Sequence, residues 1–170
     1  MIIDTSVVVA LILEEPESWA FSQAIAAAPT KRMSAASYVE LAAVIDGRRD
    51  PVLSGVLDNT LRASKIEIVP FTPGQARIAR LAYQQFGRGS GHPARLNMGD
   101  CFAYALARDL GEPLLFKGGD FAQTDIELVT EPVRERRLSE VIAAYVAGGQ
   151  ATRASAASPE AASRASSLSR

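Results

Sequence analysis

Short apolar runs alternate along this chain with longer stretches whose apolar residues recur at helical spacing. "MIID" reads as a short buried strand that ends in an acid. From Ser6 to about Glu14 the apolar run is read as a helix, although Val7, Val8 and Val9 would suit a strand equally well. Pro16 opens a second helical stretch that Pro29 ends. "KRMS" (31–34) is a brief strand, and "AASYVELAAVIDG" a helix with Gly47 as its stop. A further helix is expected from about Pro51 to Ala63, a strand at "IEIVPF", and a helix from Gly74 to Phe86. "GRGSGHPAR" has the composition of a loop. "NMGDCFAYALARDLG" follows as a helix, with Asn97 as N-cap and Gly111 as its C-terminal stop. "PLLF" is a buried strand, "KGGD" a turn and "IELV" a last strand.

Strands alternating with helices, and apolar without period-2 alternation, predict a mainly parallel sheet covered on both faces, an α/β fold. After about Glu131 the pattern changes. "VRERRLSEVIAAYVA" spaces Leu138, Val141, Ile142 and Tyr145 for one face of an amphipathic helix. Residues 151–170 contain seven Ala and six Ser, too little apolar bulk for a core, and read as disordered or loosely helical.

Composition narrows the setting. Apolar residues make up 48% of the 170, enough for a real core, and the net charge is −1, which gives no sign of a general polyanion binder. The single cysteine, Cys101, excludes an internal disulfide and fits a reducing compartment. No apolar run is long enough to span a bilayer and no basic segment precedes one at the N-terminus, so a cytoplasmic location is expected.

Four acids stand out by position. Asp4 ends the first strand, and Asp120 follows "LLF" across a glycine turn, so both belong at the carboxyl edge of the sheet, where open α/β folds bind ligands. Glu40 and Asp100 lie on helices among small or apolar neighbours, Ala36, Ser37, Ala43 and Val44 for the first, Ala103, Tyr104 and Ala107 for the second. A buried carboxylate without a cation normally protonates or binds a metal. Each acid also has a plainer reading: Asp4 as an N-cap, Asp100 as a first-turn acid, Asp120 as a cap for "FAQT", Glu40 as a solvated side chain. Three or four carboxylates at one point would require divalent cations, and hard oxygen ligands favour Mg²⁺ or Mn²⁺. Such ions activate water and stabilise a leaving oxygen, which is the chemistry of phosphodiester hydrolysis.

"MIIDTS", "SAASYVELAAVI", "LNMGDCFAYALA" and "PLLFKGGDF" resemble, in order, the four acidic motifs of PIN-domain proteins, most of all VapC-type toxins of type II toxin–antitoxin systems. The resemblance covers about residues 1–130. It implies a three-layer α/β/α fold with a central mainly parallel sheet. It implies Asp4, Glu40, Asp100 and Asp120 as catalytic acids, with Asp4 and Asp100 as metal ligands. The implied activity is a Mg²⁺- or Mn²⁺-dependent endoribonuclease, a homodimer held inactive by a VapB-like antitoxin. Ser6 and Asn97 are placed at the rim, as candidate substrate contacts. The expected divisions are a PIN-like nuclease domain at 1–130, a helical extension at 131–150 beyond the usual end of such domains, and the tail at 151–170.

Charge and aromatic residues add candidates around the site. Residues 1–130 hold 12 basic and 15 acidic residues, so attraction for RNA would rest on local patches and bound ions. Arg88, His92 and Arg95 in the loop before the third motif, and Lys117 beside Asp120, are candidate substrate contacts. Phe86, Tyr104 and Phe121 could stack on bases, though core packing is expected for Tyr104 and Phe121, and for Trp19, whose second role would be a partner or dimer surface. Asp125 is a further acid near the fourth motif, read as an exposed loop residue or a positioner of bound water. The rival readings are a non-catalytic metal- or RNA-binding module of the same fold, and a phospho-accepting receiver-type signalling domain. The second of these has no need of Glu40.

Overall fold

The computed structural model describes residues 1–129; the expectations for 131–150 and 151–170 lie outside them. Four very short strands form: β1 (Ile2–Ile3), β2 (Arg32–Ser34), β3 (Glu67–Val69) and β4 (Leu114–Leu115). All pair in parallel, in the order β3-β2-β1-β4, with Ile2 opposite both Arg32 and Leu114. Six helices connect and cover them: α1 (Thr5–Ile12), α2 (Ser18–Ala27), α3 (Ala35–Asp46), α4 (Pro51–Ala63), α5 (Pro73–Phe86) and α6 (Met98–Leu110).

Neighbouring residues of β1 point to opposite faces, and each face has its own core. Ile2 packs with Ala79 and Phe86 of α5 and with Ala103, Leu106 and other residues of α6. Ile3 packs with Val7 and Val8 of α1, Phe21 of α2, Leu41 of α3 and Leu57 of α4. Helices therefore lie on both sides of a wholly parallel sheet, the three-layer arrangement expected. The valine run of α1 is helical because the two turns after Asp4 bury Val7, Val8 and Ala10 on one core, a tertiary gain that outweighs the strand preference of β-branched residues.

Two expectations need correction. "IELV" contributes one bridge, Leu128 to Leu114, rather than a strand, because the two-residue β4 offers too short a ladder to extend. Trp19 is 55% exposed rather than in the core. The buried side of α2 is set by Phe21 and Ile25, and Trp19 lies about 200° around the helix from Phe21 at 100° per residue.

The strand order places β1 where the connections reverse. The chain leaves β1 toward β2 and β3 through α1–α4, then returns across the opposite face through α5 and α6 to β4 on the other side. The crevice beyond the carboxyl ends of β1 and β4 is thus a topological switch point, the place where such sheets bind ligands.

Candidate active site

Asp4 occupies that crevice and is 3% exposed. It is also the N-cap of α1, so the two readings of this residue hold together. Its Oδ2 accepts from the Ser6 backbone N–H at 3.0 Å and from Ser6 Oγ at 2.6 Å. The other oxygen, Oδ1, is buried and has no hydrogen-bond partner. Ser6 Oγ in turn accepts from the Lys117 N–H at 2.9 Å, which ties the start of α1 to the loop leaving β4. Ser6 is therefore a brace that orients Asp4 and fixes the segment leading to Asp120.

Asp100 stands in the first turn of α6, inside a capping box. Asn97 Oδ1 accepts from the Asp100 N–H at 2.9 Å, and Asp100 Oδ2 accepts from the Asn97 N–H at 2.6 Å. One carboxylate oxygen is thereby immobilised, and the side chain remains half-buried. Asp120 precedes a 3₁₀ turn (Phe121–Gln123) but makes no side-chain cap bond, so its carboxyl is exposed and uncommitted. Glu40, on α3, is exposed along much of its length, and its carboxyl lies against Gly99, beside Asp100.

Asp4 is within electrostatic reach of the other three acids, and Asp100 of Asp120 as well. Burial pushes the Asp4 carboxyl above the usual carboxylate range, with the Asp120 charge adding to it against the bonds from Ser6 and Thr5. Burial raises Glu40, and the Asp4 charge adds to it. Asp100 is pushed up to about 6 by burial and by the charges of Asp4 and Asp120, while the Asn97 N–H and Arg88 oppose the rise. The sequence positions 4, 40, 100 and 120 thus converge. Among the described residues, no three acidic, histidine or cysteine side chains close into a ready-made metal cage. A small hard ion that keeps several waters needs only one or two carboxylates, and the orphaned Asp4 Oδ1 is an oxygen that fits it.

The loop candidates divide. Arg88 and Arg95 line, together with Asp120, a cavity of about 280 Å³. The loop is folded by the Arg88 N–H donating to the Leu96 carbonyl at 3.0 Å and Arg88 Nε to the Arg95 carbonyl at 3.4 Å. His92 serves the loop itself: its Nδ1 accepts from the Ala94 N–H and its ring meets Phe86 edge-on. Lys117 is paired with Glu15 at 2.8 Å and Glu17 at 3.0 Å, so its ammonium straps the Asp120 loop to the α1–α2 connection. Phe86, Tyr104 and Phe121 are buried. Asp125 accepts from Tyr104 Oη at 2.7 Å and pairs with Arg108, so it supports α6 instead of positioning water at the carboxylates.

The Ser6 bridge and the Glu40–Gly99 contact were not legible in the sequence; both depend on segments about a hundred or sixty residues apart. Cys101, next to Asp100, is wholly buried, and its thiol is pushed up to about 12 by burial and by the Asp100 charge.

Comparison with known proteins agrees with this geometry. Residues 1–127 match the PIN domain. The chain is 50% identical over 127 residues to "Ribonuclease VapC28" of Mycobacterium tuberculosis, covering 75% of this chain and 96% of that protein. It is 48% identical over 126 residues to "Ribonuclease VapC42" of the same species, covering 74% and 96%. Among solved structures it resembles M. tuberculosis VapC20, described as a sarcin–ricin loop cleaving toxin, with a TM-score of 0.57 and 16% identity over 74% of this chain and 95% of that one. It also resembles VapBC2 from Rickettsia felis bound to a DNA fragment from their promoter, with a TM-score of 0.59 and 18% identity over 75% and 94%. The sheet order, the convergent acids and these likenesses together lead to one conclusion: the chain belongs to the PIN domain family, alongside its VapC ribonucleases.

Proposed function

We propose that this protein is a Mg²⁺- or Mn²⁺-dependent endoribonuclease, the toxin of a VapBC-type module, with Asp4, Glu40, Asp100 and Asp120 as its catalytic acids. The observation that carries the reading is the buried, unpartnered Oδ1 of Asp4, whose charge raises the proton affinity of Glu40 and Asp100, while the Asp120 charge raises that of Asp4 and Asp100. A divalent cation resolves that repulsion, and only oxygen donors are at hand.

Asp4 and Asp100 would hold the ion, each with one oxygen fixed by Ser6 or Asn97 and the other free. When bound, the ion supplies a nucleophilic water and stabilises charge on the leaving oxygen. Glu40 and Asp120, the two exposed acids, take up and return protons at the opening of the crevice. Arg88 and Arg95 face that opening and bind backbone phosphate. This assigns phosphodiester hydrolysis without a covalent intermediate; the preference for RNA rests on the VapC relatives.

A VapB-like antitoxin is the partner proposed, and a second copy of the chain is the partner for a homodimer. Among the described residues no helix is long and apolar enough to cross a membrane. Asp4→Asn or Asp100→Asn should abolish cleavage of a mixed RNA pool in Mn²⁺ while leaving the circular dichroism spectrum and cooperative unfolding intact. Full activity in either pure variant would refute the assignment. Metal binding without any cleavage by the unaltered protein would favour the non-catalytic module instead.

A further inference from the structure

Gly99 has no backbone reason to be glycine. It sits at the second position of α6, in ordinary helical conformation, where alanine is the better helix former. Its reason lies across the crevice. A Cβ built on Gly99 would lie 2.5 Å from Glu40 Oε1 and 2.6 Å from Glu40 Cδ, both far inside contact distance. The space that a methyl group would fill is occupied by the Glu40 carboxyl. Among the described residues no hydrogen bond or ion pair holds that carboxyl, and most of the side chain above it is exposed. The bare Cα of Gly99 is therefore what seats the Glu40 carboxyl against α6.

We infer that Gly99 is a positioning residue for Glu40: its missing side chain is the seat that keeps the Glu40 carboxyl against the first turn of α6, on the side of the crevice that Asp4 occupies. The inference rests on the four-acid reading above and extends it to a residue that carries no chemistry of its own. It has an unusual signature. The atoms in the way belong to the free end of a flexible side chain, so a methyl group at residue 99 would displace Glu40 without breaking the core. Stability and function should then part company.

The test is a double-mutant cycle of Gly99→Ala and Glu40→Gln in the full chain, with thermal midpoint, Mn²⁺ affinity by calorimetry, and RNA cleavage measured for each variant. Gly99→Ala should hold or raise the thermal midpoint. It should lower kcat by about 100-fold or more, the contribution of a positioned acid–base group, with KM for RNA little changed. In the Glu40→Gln background the same substitution should cost nothing further. The inference is overturned by an unchanged kcat in Gly99→Ala, by a lowered midpoint, or by a loss that persists undiminished in the Glu40→Gln background. If Glu40→Gln alone keeps full activity, the assignment of Glu40 itself fails and takes the inference with it. Asp4→Asn independently tests whether the crevice is the site at all.

Discussion

The proposed role of Asp4 asks it to combine two demands that normally conflict. A helix N-cap needs one oxygen turned to the backbone, and a metal ligand needs one turned away. Ser6 satisfies the first through Oδ2 and leaves Oδ1 bare. Without an ion the cluster is a liability. Burial pushes the Asp100 carboxyl up to about 6 in the folded protein, above its ordinary value of 3.8. Between those limits the folded state holds more protons, so stability of the metal-free protein should fall as pH rises from about 4 to 7. Midpoints from thermal unfolding in EDTA across that range would test the sign, and Asp100→Asn should flatten the slope. A metal-free protein whose stability climbs with pH, and equally so in Asp100→Asn, would contradict it. The sequence made these residues visible as acids at a strand end or on apolar helix faces. It left open whether each was a cap or a ligand, and for Asp4 and Asp100 the structure answers that each carboxyl caps with one oxygen and leaves the other.

At the level of elements, α6 and the loop before it carry one of the four acids, the Gly99 seat of Glu40 and the arginine pair. The capping box of Asn97 and Asp100 starts the helix and Gly111, at φ 61°, ends it in the left-handed region that favours glycine. Asn97→Ala should cost about 1 kcal/mol of stability from the lost cap. It should also lower metal affinity by freeing the Asp100 side chain, whereas Asn97→Asp should recover much of the stability; denaturant unfolding and Mn²⁺ titration would separate the two effects. The arginine loop makes a different prediction. Arg88→Ala with Arg95→Ala should raise KM for RNA and reduce the salt dependence of binding by a slope of about 1 to 2, because each neutralised phosphate contributes about one released counterion. Unchanged salt dependence would remove the loop from the substrate path. Helix ends were legible because caps and stops are local: Asn97, Gly111 and Pro51 all act within a few residues. Trp19 and Lys117 were not, since exposure and ion pairing depend on what lies across the fold.

For the molecule as a whole, two-residue strands suffice because each face of β1 is covered: Ile2 and Ile3 serve separate cores. The parallel order was implied by alternation of strands and helices, but the placement of β1 between β2 and β4 was not, because strand order is set by how α5 and α6 cross the opposite face. That crossing makes the single thiol useful. Cys101 lies in the wall between the carboxylates and the core, fully shielded and held protonated, and the chain contains no second cysteine. A thiol-specific dye should therefore react only when α6 lifts from the sheet, which turns labelling speed into a gauge of local opening. Adding Mn²⁺ should slow that reaction in proportion to occupancy, so the protein comes with its own occupancy meter one residue away from the proposed ligand Asp100; brisk labelling indifferent to Mn²⁺ would mean that the helix and the ion do not communicate.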